Sequence, residues 1–250
     1  MIASRLSDSR LPFQVRPLPV LFATALIGIA AQAAELAVAN SSFESPVVPP
    51  NFPALPELGS WERPADQGSF SGVFPNPPVG SPDRIVTGLD GNQAAFLIGE
   101  QGVVISQKLE SQFEAGLQYT LTVALAPGGA IHAGDSLTLE LFYLNDAGQS
   151  VSVATTSVRY DDPLPPPTIT ALIDKHAISG VLQAGDAPVG KDIHVQIAAG
   201  STVPHTGPAY WDLDNVRVSA STVPEPGTWA LMILGLGGLV ISRRRMTSRK

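Results

Sequence analysis

Between residues 93 and 218 apolar and polar side chains alternate with a period of two, the spacing of strands that bury one face, rather than recurring at helical intervals. Residues 93–98 and 103–109 read as two strands joined through Gly99 to Gly102 as a hairpin. Residues 119–125 alternate cleanly and are predicted to stop at the Pro-Gly-Gly of 127–129. Residues 136–144 end at the turn signal Asn145-Asp-Ala-Gly148, and residues 150–160 return from it. Residues 193–197 and 211–218 complete the set. Each segment sets Val, Leu, Ile or an aromatic against Ser, Thr or a charge, as half-buried antiparallel strands require. The pattern predicts an all-β chain, an antiparallel β-sandwich of the jelly-roll type.

Two stretches interrupt the alternation. Residues 46–82 hold ten prolines and are expected to run as a long irregular excursion over the surface, of the kind that often carries function. Residues 161–167, Asp-Asp-Pro-Leu-Pro-Pro-Pro, form a stiff extended connector; a spacer crossing between sheets is preferred over a Pro-rich recognition motif.

The two ends are apolar in a different way. Arg5, Arg10 and Arg16 precede an uncharged apolar run over 18–30, and Ala31-Gln32-Ala33 supplies the small residues that a signal peptidase reads. A secretory signal removed after Ala33 is expected, with a retained anchor as the alternative. At the other end stand Pro224, Glu225 and Pro226, then 13 uncharged residues from Trp229 to Ile241, then Arg243, Arg244 and Arg245. That run is short of the roughly 20 residues a spanning helix usually needs. Gly227 and Thr228 can extend it, and the arginine stems can lie along acyl chains with their heads at the interface. The positive-inside rule places the arginines in the cytoplasm and the rest outside. Triplet, Gly-rich run and arginine cluster together resemble the PEP-CTERM sorting tail of Gram-negative surface proteins. The resemblance implies transient anchoring in the inner membrane and cutting near the triplet by an exosortase, a membrane protease. It covers about 28 residues and implies destination rather than activity.

Taking off both ends changes the charge picture. Three of the 15 Lys+Arg lie in the leader and five in the tail, whereas only Asp8 and Glu225 of the 22 Asp+Glu lie outside the middle, so residues 34–222 carry about −13 against −7 for the whole chain. So acidic a domain disfavours nucleic acid as a partner and suits divalent cations or neutral polysaccharide. With no cysteine, an exported domain must rely on packing and on any metal it binds.

The opening Asn40-Ser-Ser-Phe-Glu44 and the closing Tyr210-Trp-Asp-Leu-Asp-Asn-Val216 resemble the galactose-binding-like jelly roll of many carbohydrate-binding modules. By that resemblance Glu44 and Asp214, with Asp212 as a less secure third, would ligate a structural calcium together with backbone carbonyls. Calcium takes six to eight hard oxygens, which fits these residue types. The alternative is that they are solvated charges at strand ends. A glycan site would need a flat ring, and Trp61, Phe70 and Phe74 on the Pro-rich stretch are the candidates; packing in the core is the preferred fate of Trp61 and Trp211. Gly134-Asp-Ser-Leu137 spells the nucleophile block of GDSL esterases, but it runs into an alternating strand and no Asp-x-x-His follows to supply a base, so it is read as a turn. His132, His176, His194 and His205 show no metal-ligand spacing.

The chain is therefore expected to comprise a signal peptide (1–33), a β-sandwich ectodomain (34–222) and a sorting tail (223–250). The expected function is that of an exported, non-catalytic surface or matrix protein. An association with exopolysaccharide and biofilm is implied by the tail alone. A dedicated glycan-binding module is the alternative, and a hydrolase ranks last.

Overall fold

The computed structural model describes residues 33–49, 51–65, 70–77, 85–99, 102–162, 169–202 and 209–223. The predicted signal peptide, the triplet at 224–226, the apolar run at 229–241 and the arginines at 243–245 lie outside them.

Among the described residues the strands are β1 (Ala33–Leu36), β2 (Ser71–Pro75), β3 (Ile85–Thr87), β4 (Gln93–Ile98), β5 (Val104–Gln112), β6 (Leu117–Gly129), β7 (Asp135–Leu144), β8 (Ser150–Arg159), β9 (Ile169–Ala171), β10 (Ile173–Val181), β11 (Asp192–Ser201) and β12 (Ala209–Thr222). One antiparallel sheet runs β10-β6-β12-β4-β2, with β1 also on β12; a second runs β5-β11-β7-β8. A small parallel pair, β3 with β9, belongs to neither sheet but packs Val86 against Phe74 of β2 and Ala94 of β4. No α-helix occurs among the described residues, nor any helix long and apolar enough to cross a membrane. The chain is an antiparallel jelly-roll sandwich, as the period-two pattern predicts.

Alternation fills the space between the sheets. Ile193, Val195 and Ile197 of β11 and Leu137, Leu139 and Leu141 of β7 point inward with no exposure, and they meet Leu121, Val123, Leu213 and Val218 of the other sheet. Each such side chain contributes about 1.5–3 kcal/mol by leaving water.

Three expectations are corrected. Residues 93–98 and 103–109 are not a hairpin: β4 pairs with β12 and β2, whereas β5 pairs with β11, so the two strands belong to different sheets. Period two reports which face is buried but not which neighbour is paired. Next, β6 passes through Pro127 to Gly129. The pairing of β10 ends at Leu125, so β6 has a free edge where the missing N–H is tolerated. Finally, the described part of the Pro-rich stretch is largely irregular and exposed, as expected, but it is not confined to the surface. It supplies Val48, Leu58, Trp61 and Val73 to the core and the edge strand β2. Leu55 exchanges both backbone bonds with Val73, and the approach is so close that a Cβ on Gly72 would lie 2.0 Å from the Leu55 carbonyl oxygen.

The β7–β8 turn matches its prediction. Asn145 Oδ1 accepts the N–H groups of Ala147 (3.0 Å) and Gln149 (2.9 Å), an Asx arrangement that sets the hairpin register. Because the turn is exposed and water can replace the side chain, Asn145→Ala should cost only about 1 kcal/mol. A urea midpoint unchanged within error would show that the strands alone set the register.

Candidate functional site

On one side β12 is paired by β4 over 210–213 and by β1 over 218–221, leaving a gap between them. A bulge in β12 between Asp214 and Arg217 and the positive φ of Asn215 (51°) mark that gap, and two loops fill it. The first is 40–46. Asn40 takes a positive φ (51°) and ties the loop with its own amide: Nδ2 donates to the carbonyls of Ser45 (2.6 Å) and Leu58 (3.2 Å), and Oδ1 accepts the Ser45 N–H (3.0 Å). Asn tolerates this conformation better than most residues. Phe43 then plugs the core with no exposure, and Val216 donates to the Ser41 carbonyl at 2.9 Å.

Glu44 is thereby aimed at the second loop, 88–92. Its Oε1 accepts the N–H groups of Asn92 and Gln93, both at 2.8 Å. Gly91 allows this: its φ is +117°, and a Cβ there would lie 2.4 Å from Glu44 Oε1. Gln93 closes the join from inside, donating to the carbonyls of Phe43 and Pro46 and accepting the Val48 N–H. From the other side Asp214 accepts the Asp90 N–H on Oδ2 (2.6 Å) and the Asn215 N–H on Oδ1 (2.7 Å). Asp214 is buried. Burial first, then the charges of Asp90 and Glu44, push its carboxyl up to about 7, against the two N–H bonds that favour the ionised form.

The structure thus brings Glu44 and Asp214 together on one loop. Asp212 is also buried, but it lies two residues earlier on β12, in register with Phe96 and Ala126. Asp90, which sequence reasoning passed over, contributes a third acidic residue; the Asp-Gly-Asn turn just before β4 is the signal that could have found it. Among the described residues no group of three or more His, Cys, Asp or Glu side chains stands in a metal-holding arrangement. Any cation here would rest on Glu44, Asp214 and carbonyl oxygens. These fit calcium in kind: they are hard oxygens, and among the described residues Glu44 Oε2 takes no hydrogen bond and the buried Asp214 has no compensating charge beside its acidic neighbours.

Of the three aromatics, Trp61 and Phe74 are buried and Phe70 is half-buried. Trp61 is 5% exposed, stacks on Phe43 (5.5 Å between centroids, 27°) and donates its indole N–H to the Asn40 carbonyl at 3.2 Å. Phe74 is buried in a second cluster with Val86 and Ala94, and Phe70 packs against the main core. An open groove of about 560 Å³ passes Trp61 along Glu57, Leu58, Gly59, Glu62 and Arg63. Its guanidinium is committed to tying the loop, donating to the carbonyls of Pro56 and Ser71.

The Gly-Asp-Ser-Leu block is a turn into β7. Asp135 Oδ2 accepts the His132 N–H at 2.7 Å, and Ser136 Oγ faces the Gly200 carbonyl at 3.5 Å rather than a base.

A family model described as HpiC1-like (HpiC1 cyclase) matches residues 34–219, and the PEP-CTERM protein-sorting motif matches residues 222–245. No curated protein matches the chain. Among solved structures, the fold is similar to that of the apo form of a cyclase from Fischerella sp., with a TM-score of 0.55 and 17% identity over 77% of this chain and 98% of that one. A cyclase from Fischerella sp. TAU gives a TM-score of 0.55 and 16% identity over 78% and 100%. The carbohydrate-binding module TmCBM61, solved with β-1,4-galactotriose, gives 0.43 and 13% over 74% and 98%. At such identities the first two speak for the fold alone.

Proposed function

The chain belongs to the HpiC1-like family over residues 34–219 and carries a PEP-CTERM sorting motif directly behind that domain, and from this premise we propose an exported, non-catalytic surface or matrix protein, released from its anchor by an exosortase. One observation carries it: β12 ends at Thr222, the residue at which the sorting motif begins. No spacer separates them, so a single cut near the triplet frees a complete sandwich. The acidic surface then suits a hydrated matrix of neutral exopolysaccharide. Glu44 and Asp214, with backbone carbonyls, hold a structural calcium that joins the 40–46 and 88–92 loops to β12 in a domain without disulfides.

Replacing Pro224, Glu225 and Pro226 with alanine should leave the protein uncut in the inner membrane, whereas the native chain appears outside as a shorter species. Fractionation and immunoblotting read the difference. Unchanged processing and export of the variant would refute sorting by this triplet.

A second reading follows from the family's description as a cyclase and from Asp214. A carboxyl that keeps its proton to about pH 7 is a proton donor near neutrality. Both its oxygens already accept backbone N–H groups, however, which favours holding loops over protonating a ligand. Calcium separates the two readings, because a bound cation keeps Asp214 ionised.

A further inference from the structure

The outward face of the β5-β11-β7-β8 sheet carries the polar half of each alternation. Across its strands Lys108, His194, Phe142 and Ser152 stand in one register row. At the end of that row the pairing of β11 with β5 slips, with Asp192 opposite Gln112 but His194 opposite Lys108. Such a bulge re-aims side chains. Here it turns Asp192 onto Lys108, Nζ to Oδ2 at 2.6 Å, while Gln112 Nε2 donates to Asp192 Oδ1 at 3.0 Å. The loop before β11 is pinned to Phe113 by two backbone bonds, Gly190 N–H to its carbonyl and its N–H to the Lys191 carbonyl. The result is a cavity of about 300 Å³, walled by Lys108, Gln112, Gly190, Lys191, Asp192, Leu144 and His194. That volume lies at the small end of ligand sites.

Its chemistry narrows the occupant. The ectodomain has only seven Lys and Arg, and two of them are here, yet each is already matched: Lys108 by Asp192, and Lys191 by Asp146 at 2.6 Å. An anion would therefore find no spare charge. The imidazole of His194 lies on Phe142, 4.9 Å between centroids and 28° apart, and lines the cavity wall. Burial, then Lys108, holds its pKa below the usual value, against the smaller opposing pulls of Asp192 and Glu62, so the ring is neutral at pH 7. Leu144, 42% exposed, adds an apolar wall. Paired donors and acceptors beside a flat uncharged ring and an aliphatic surface match a pyranose, whose hydroxyls bridge such pairs while its C–H face meets the apolar wall.

We propose that this pocket, built by Lys108, Gln112, Leu144, Asp192 and His194, binds a unit of a neutral polysaccharide. It names a site for the matrix reading and rests on that reading for the availability of such a polymer.

The test is affinity electrophoresis of the full chain, solubilised in a zwitterionic detergent without a sugar headgroup, through gels containing galactan, xylan, mannan, β-glucan or the acidic polymer alginate. At least one neutral polymer should retard the native chain. His194→Ala and Leu144→Ser should each weaken that retardation about tenfold, whereas Lys175→Ala on β10 should leave it intact. Leu144 is exposed, so its variant keeps the fold, and equal melting temperatures verify this. Pocket variants retarded like the native chain would overturn the site while leaving the matrix reading standing. Retardation by alginate alone would overturn the neutral assignment. No retardation by any neutral polymer would overturn both the site and the polysaccharide partner, leaving the sorting reading to its own triplet experiment.

Discussion

Trp61→Ala should lower the stability of the chain by about 3–5 kcal/mol, the usual range for emptying a buried Trp or Phe site. The indole is 5% exposed, lies against Phe43 and satisfies the Asn40 carbonyl. Truncation thus opens a cavity and strips a partner from the loop that aims Glu44. For a domain of this size the melting temperature should fall by roughly 10 °C, at about 2–4 °C per kcal/mol. Trp61→Phe keeps the stacking and loses only the N–H bond, so about 1–2 kcal/mol is expected. Thermal unfolding followed by circular dichroism decides between the two fates of this residue. A surface platform would give an alanine variant that melts like the native chain, and that outcome would contradict the packing described above.

The same residue shows what the sequence could and could not convey. Alternation at 136–144 and 150–160 reports burial of one face, a local property, and β7 and β8 follow it closely, whereas β4 keeps the bounds expected at 93–98 but is buried on both faces, Ala95 and Leu97 in the main core and Ala94 in the second cluster. β10 escaped because its large apolar residues face outward: Ile173 and Ile178 are 59% and 56% exposed, and the residues it buries are Ala177 and Ser179. β2 escaped because its Gly72 and Pro75 read as loop, although close approach to Leu55 demands the glycine. The sorting tail was legible because membrane signals depend on length, order and charge, none of which needs a fold.

The loop cluster was half legible. The Asn40-to-Glu44 opening and the Asp-Asn-Val closing announced themselves by resemblance, and the structure brings Glu44 and Asp214 to one place. Asp90 and Gly91 come from a third segment whose closeness exists only once β4 has paired with β12. The Lys108, Asp192 and His194 pocket was illegible for the same reason: it needs the bulge between β5 and β11.

Without divalent cations, stability should fall as pH rises from about 4 to 7, and calcium should reverse the loss. In the folded chain Asp214 keeps its proton to about pH 7, whereas unfolded it gives it up near the ordinary 3.8. Between those values the native state holds the extra proton, so deprotonation on raising the pH works against folding. The contribution is whole below pH 4 and gone above 7. At 1.36 kcal/mol per unit the ceiling is about 4 kcal/mol, and solvent screening at the loops brings it to about 2, or roughly 4–8 °C. The paired Asp146 and Asp192, held below the usual carboxylate range by Lys191 and Lys108, slope the other way but are exposed and count for little. Asp214→Asn should therefore flatten the profile measured in chelator. Calcium binds the ionised form, so its effect should grow across the same window and reach about 2.7 kcal/mol when it is in hundredfold excess over Kd. Glu44→Gln should weaken that rescue while leaving much of the slope in chelator, because Asp214 stays buried. Equal melting in calcium and in chelator at pH 8 would remove the cation from the site. Asp214 would then be a buried acid poised near neutrality, and the cyclase reading would gain what the calcium reading lost.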